Sequence, residues 1–234
     1  MFESELKMSN REKSQATILI IEPDSNERNN LKNALRTIGF TNISDSPNHL
    51  SALEKIEGRH FSHVFFDVNE TNMPMVAFIT KLFELENHVI AIPCSSKPEI
   101  DKVFDMMIHG ARGFLVKPFT IEGVDNSVTM ATKGEPINSL VLQAKDRNEA
   151  LVAIVMASTD NMASILRQSK QFETAKFEVP KQLANLNNSI NLAHTFAKGG
   201  DDELLVALQK FCIERSKGPS TRLGRLRKKL QHER

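Results

Sequence analysis

The sequence holds only two cysteines, Cys94 and Cys212, and neither tryptophan nor tyrosine. Two cysteines cannot build a disulfide framework or a four-cysteine zinc site. The seven histidines add no zinc-ligand spacing: His60 and His63 stand three apart, but no Cys or Glu cluster accompanies them. The longest clean apolar run, residues 150–157, has eight residues, against the ~20 needed to cross a bilayer, so no membrane span is expected. The first residues, MFESELKMSNREKSQ, lack the apolar stretch of a secretory signal, and the low cysteine content agrees with a reducing, cytoplasmic address. No Gly-rich phosphate loop, His-Glu-x-x-His or Gly-x-Ser-x-Gly motif is found, so those enzyme classes are excluded and a non-enzymatic role is expected. Internal repeats and low-complexity segments are also missing.

What is present is ordinary globular composition, 40% hydrophobic and 25% charged, over 234 residues. That length suits one large domain or two small ones. The formal net charge of +1 conceals an asymmetry. Residues 216–234 carry seven Lys/Arg against one Glu, or +6, which leaves −5 for everything before them. A mildly acidic body therefore ends in a basic tail.

Short, nearly continuous apolar runs lie at 17–21, 63–66, 88–92 and 113–116, as expected for strands buried on both faces, with a weaker one at 42–44. Amphipathic stretches fill the intervals at 26–40, 48–57, 75–86, 99–109 and 121–131. Leu31, Ala34, Leu35 and Ile38 form one apolar stripe, and Leu50, Leu53 and Ile56 another. This alternation predicts a doubly wound, five-stranded parallel sheet with right-handed crossovers. Beyond Gly134 and Pro136 the periodicity is purely helical. One stripe comprises Leu151, Ile154, Val155, Met162, Ile165 and Leu166. A second comprises Leu183, Leu186, Ile190 and Ala193, and a third Leu204, Leu205, Leu208, Phe211 and Cys212. Pro180, Gly199–Gly200 and Gly218–Pro219 punctuate them. The expected organisation is a polar extension (1–15), an α/β domain (16–133), an all-α domain (134–216) and the basic tail (217–234).

In an open parallel sheet, ligands bind at the carboxyl ends of the strands. Glu22, Pro23 and Asp24 follow the first strand, Asp67 ends the third, Cys94, Ser95 and Ser96 end the fourth, and Lys117 follows the fifth. Carboxylates, a hydroxyl and an ammonium on one edge suit a hard cation and a phosphoryl group. Taken alone, Asp67 reads as turn chemistry and Glu22 as a solvated loop residue or a helix-start charge; the joint pattern on four strands carries the reading.

Residues 17–130 resemble the receiver domain of two-component response regulators, a flavodoxin-like fold. ILIIEPDSNER, VFFDVN, the serine pair after the fourth strand and GARGFLVKPFT carry the likeness. The resemblance implies that Asp67 is the phosphoacceptor, attacking the phosphorus of a donor phosphohistidine. Ser95 and Lys117 would contact the phosphoryl oxygens, and the bond from Lys117 to Pro118 would be cis. It implies Mg²⁺ held by Glu22, Asp67 and the Asn69 backbone carbonyl, and an aromatic switch at Phe114, where a plain core aromatic is the alternative. A sensor histidine kinase or phosphotransfer protein would be the partner. The sequence departs from the family at the second acidic position, where Pro23 stands, with Asp24 one residue late as the substitute ligand. Weakened metal binding is therefore expected.

The helical half fits an output or dimerisation unit, and no helix-turn-helix is visible in it. In the tail, Leu223, Leu226 and Leu230 oppose Arg222, Arg225, Arg227, Lys228 and Lys229. A solvated end helix, a nucleic-acid or anionic-membrane contact and a partner-binding helix all fit that pattern. Besides a phosphorelay response regulator, the sequence admits a pseudo-receiver scaffold that works without phosphorylation, and a nucleic-acid-binding regulator acting through the tail.

Overall fold

A computed structural model describes residues 7–68, 72–134, 137–169 and 175–217, in two units divided after Ile137. The first unit runs α1 (Asn10–Gln15), β1 (Thr17–Ile21), α2 (Ser25–Thr37), β2 (Asn42–Ser46), α3 (His49–Gly58) and β3 (His63–Asp67). It continues with α4 (Met75–Leu85), β4 (Ile90–Ser95), α5 (Ile100–Ile108), β5 (Leu115–Val116) and α6 (Ile121–Lys133). The strands form one parallel sheet in the order β2-β1-β3-β4-β5. It is the flavodoxin-like, doubly wound order expected from the sequence.

Side-chain alternation divides the core in two. Ile18, Ile20, Phe65, Ile92 and Cys94 face one way and pack with Leu31 and Leu35 of α2 and Val124 and Val128 of α6. Leu19, Ile21, Val64, Phe66 and Ala91 face the other way and meet α3, α4 and Met106 of α5. Both faces being covered explains why the strands read as unbroken apolar runs. Gly110 closes α5 at φ 100°, where a Cβ would lie 2.9 Å from the Phe83 ring, so the GARGF motif needs glycine there.

The elements depart from the sequence reading in several places. β4 extends through Pro93 to Ser95, because Pro93 keeps its place opposite Phe66 in the ladder. β5 begins at Leu115 and has two residues. On α3 the buried stripe is His49, Ala52, Leu53 and Ile56, at helical spacings of three, four and seven, and Leu50 is turned out to solvent. The polar first residues include α1, capped by Ser9 in a reciprocal pair with Glu12. Met8 and Ala16 join the core beside α2 and α6, and Lys13 reaches Asp125 of α6 at 2.7 Å.

The second unit holds α7 (Ser139–Leu142), α8 (Arg147–Ser169), α9 (Ala175–Phe196) and α10 (Gly200–Lys217). α9 passes through Pro180, which was expected to interrupt it. Among the described residues of α9, Val179, Gln182, Leu186, Ser189, Ala193 and Phe196 form a less exposed stripe spaced alternately by three and four residues, with Leu192 beside it. Ser158 of α8 meets Ser189 across the pair at 2.6 Å. Several residues assigned to buried stripes are instead exposed: Leu166, Leu183, Ile190, Leu205 and Cys212. By length and composition, Arg147–Leu166 is long and apolar enough to cross a membrane, although Ser158, Thr159, Asp160 and Asn161 break its apolar run. Its first turns pack in this unit, where Ala150, Leu151, Val152 and Ala153 are all buried.

Candidate functional site

Four strands deliver four polar side chains to one edge. The Glu22 N–H donates to the Ser46 carbonyl at 3.1 Å, which carries the β1–β2 ladder one residue further and fixes Glu22 at the strand end. Asp67 closes β3 opposite Cys94, and the Val68 N–H donates to the Cys94 carbonyl at 3.0 Å. Ser95 closes β4, and its carbonyl accepts the Lys117 N–H at 2.9 Å. Glu22 and Asp67 are each 3% exposed and Ser95 is fully buried. Lys117 lies between the carboxylates, with Nζ 2.6 Å from Glu22 Oε2 and hydrogen-bonded to Asp67 Oδ2. Its bond to Pro118 is cis, as the resemblance implies.

With all three groups ionised, two carboxylates and one ammonium leave a net charge of −1 in a space almost closed to water. Burial raises the Glu22 pKa above its usual range; Lys117 opposes that rise and the Asp67 charge adds to it. Burial works against the charge on Lys117, but its bonds to Asp67 and Glu22 outweigh this and its pKa is raised. Glu22 Oε2 is held by the Lys117 ammonium at 2.6 Å and by no other group.

The neighbouring residues play other parts. Asp24 is exposed and caps α2: its Oδ1 accepts the N–H groups of Asn26 at 2.7 Å and Glu27 at 2.9 Å. Those bonds hold its carboxyl below the usual range. Ser95 Oγ accepts the Lys97 N–H at 3.1 Å. Phe114 is half-buried just before β5, and its carbonyl accepts from Ser127 Oγ at 3.4 Å. Asn69 lies outside the described residues.

A receiver's metal would meet oxygen donors here, which suits a hard cation. The excess negative charge and the two buried carboxylates fit Mg²⁺ held through Glu22 and Asp67. Pro23 supplies no third, and among the described residues no group of three or more His, Cys, Asp or Glu could hold a metal.

Two contributors were not legible in the sequence. Arg28 reaches back from α2 and donates to the Glu22 carbonyl at 2.5 Å and the Pro23 carbonyl at 3.2 Å, with Asp45 at 3.3 Å on its other side. It pins the loop that carries Glu22. His49 is wholly buried, edge-on to Phe78 at 4.5 Å and Phe66 at 6.4 Å. Burial pushes its pKa down to about 4, against the pull of the Asp67 charge. A helical count placing His49 in line with Leu53 and Ile56 was the available signal.

Residues 18–129 match the family model of the response regulator receiver domain. This part of the chain is a receiver domain. Over 107 residues it is 27% identical to the chemotaxis protein CheY of Pseudomonas aeruginosa, covering 45% of this chain and 86% of that protein. It is 28% identical over 105 residues to CheY-3 of Vibrio cholerae, covering 44% and 81%. Among solved structures it is similar to the CheX–CheY–BeF3–Mg²⁺ complex of Borrelia burgdorferi, at 20% identity and a TM-score of 0.49, over 55% of this chain and 96% of that one. Receiver domains bind Mg²⁺ and interact with histidine kinases or phosphotransfer proteins. The family match stops short of the second unit.

Proposed function

We propose that this chain is a phosphorelay response regulator, a signalling protein and not an enzyme, whose receiver domain accepts a phosphoryl group on Asp67. Lys117 seated between Glu22 and Asp67 carries this reading. An Asp67 carboxylate oxygen forms the new O–P bond as the P–N bond of a donor phosphohistidine breaks, and the imidazole leaves with the electron pair. Lys117 moves from Glu22 onto the phosphoryl oxygens, and the Ser95 hydroxyl leaves the Lys97 amide to donate to one of them. Glu22 and Asp67 would hold Mg²⁺, which supplies positive charge to the phosphoryl oxygens. Phe114, half-buried before acylphosphate formation, turns inward afterwards. The helical unit takes the output role, and a cytoplasmic address agrees with phosphohistidine as the donor. Nucleic-acid contact through residues 217–234 falls mainly outside the described residues.

Beryllofluoride with Mg²⁺, followed by heteronuclear NMR, tests the reading. Shifts at Asp67, Ser95 and Lys117 in the wild type that vanish in Asp67→Asn are expected. No shift at tens of millimolar Mg²⁺ (about the top of a usable range for a weak carboxylate site) would sink phosphoacceptance. The second reading, a phosphorylation-independent scaffold, would then hold; it is favoured by Pro23 and by Asp24 being turned to its helix cap.

A further inference from the structure

The loop between β1 and α2 is held at each polar atom of Glu22. Its N–H donates to the Ser46 carbonyl at 3.1 Å, its Oε1 accepts the Asp24 N–H at 3.1 Å, and its Oε2 meets Lys117 at 2.6 Å. The remaining atom, the carbonyl, accepts from Arg28 Nη1 at 2.5 Å, and the same nitrogen reaches the Pro23 carbonyl at 3.2 Å. We propose that Arg28 is a positioning residue for the metal site, which sets the Glu22 carboxylate by clamping the Glu22 and Pro23 carbonyls onto α2. The inference rests on the Mg²⁺ part of the reading above and on no step of phosphoryl transfer.

The geometry is that of a clamp, not of a loose surface ion pair. The Arg28 side chain is 18% exposed, and its planar fork works in two directions, with Nη1 on the carbonyls and Nε 3.3 Å from Asp45 Oδ2. Asp45 is itself fixed, because it pairs with Ile20 in the β1–β2 ladder and Lys32 holds its Oδ1 at 2.6 Å. A continuous set of contacts therefore runs from the edge strand β2 through the guanidinium to the loop that carries Glu22. The loop has few other anchors. Pro23 has no N–H to donate, and Asp24 commits its carboxylate to the first N–H groups of α2. Charge and position make opposite demands on Arg28. A guanidinium near a cation site repels the cation, so by charge alone its removal would tighten Mg²⁺ binding. Groups that orient metal ligands act the other way, and their loss typically weakens affinity about ten- to a hundredfold. The sign of the change separates the two.

The test is a Mg²⁺ titration of the full chain, read from the amide shifts of Glu22 and Asp67, with urea midpoints measured alongside. Arg28→Met keeps the aliphatic stem and removes the fork, and should weaken Mg²⁺ binding about tenfold or more in a folded protein. Arg28→Lys keeps the charge but cannot serve the carbonyls and Asp45 at once. Its affinity should fall between those of Arg28→Met and the wild type, and it decides the matter if Arg28→Met does not fold. Lys32→Met removes the other cation on Asp45 and leaves the carbonyls clamped, so its Mg²⁺ affinity should not fall. A merely structural Arg28 would lower the urea midpoint and leave the metal affinity where it was. Wild-type or tighter binding in Arg28→Met, or in Arg28→Lys, overturns the proposal, as does an equal loss in Lys32→Met. A wild type without Mg²⁺ shifts overturns the metal reading and this inference together. Mg²⁺ shifts without a beryllofluoride response leave the inference standing and remove only the phosphoacceptor reading.

Discussion

Lys117 closes on Glu22, its Nζ 2.6 Å from Oε2, while bonding Asp67 on the strand between β1 and β4. One ammonium thus serves two carboxylates, and neither is matched charge for charge. The resting site is under electrostatic tension, which a cation or the loss of a carboxylate charge relieves.

Glu22→Gln should therefore stabilise the protein at neutral pH. The Glu22 pKa is raised in the folded state, chiefly by burial, so the fold holds that proton more tightly than the unfolded chain does. Its favourable contribution is full below the ordinary carboxylate range and is lost as pH rises through the folded value. A gain of about 1 kcal/mol at pH 7 that fades at acid pH is expected. Urea denaturation at both pH values checks it, and a destabilised variant at pH 7 would refute it.

Pro23→Asp should tighten Mg²⁺ binding about tenfold or more by restoring a carboxylate beside Glu22. Asp24→Ala should leave Mg²⁺ affinity nearly unchanged and lower thermal stability, because its carboxylate caps α2. Metal titrations of both variants distinguish ligand from cap. A large loss of affinity in Asp24→Ala would make Asp24 a ligand.

Acid should weaken the fold between about pH 6.5 and 4 through two buried histidines. Burial depresses His49 and His63, each to about 4, so the unfolded chain takes up protons first as pH falls. A lowered histidine contributes stability that is present above its unfolded pKa and lost as pH falls toward the folded one. His49→Phe keeps an aromatic ring against Phe66 and Phe78 and should remove up to about 3 kcal/mol of that acid loss. Equal pH slopes for variant and wild type would show that His49 titrates no differently in the two states.

The α1 segment should contribute to receiver stability. Met8 is 6% exposed in the core cluster with Leu35 and Val128, so Met8→Ala is expected to cost about 2 kcal/mol. Lys13→Met should cost less, since Asp125 keeps partial access to water. Denaturant midpoints of the two variants settle the order.

Strand positions, the parallel sheet and Glu22, Asp67, Ser95 and Lys117 were all legible in the sequence, because buried strands are short apolar runs and their ends are where polar residues begin. Pairing across the sheet was not. Nothing local says that Lys117 will meet Glu22, that Arg28 will turn back to the Glu22 carbonyl, or that Asp24 will spend its carboxylate on two backbone N–H groups. Those are competitions among partners brought together only by folding.

Helical phase drew a similar line. The sequence determined that 147–169, 175–196 and 200–217 are helical, since apolar spacings of three and four recur along each of them. Tertiary structure decided which side of each helix is covered. His49, not Leu50, entered the core because one residue's offset turns a side chain about 100° around the axis. Leu205 and Cys212, periodic with Leu204, Leu208 and Phe211, stayed exposed because, among the described elements, α8 and α9 pack on the other side of α10. Periodicity records that a residue is apolar and how far along the helix it sits; which neighbour covers it is a property of the assembled chain.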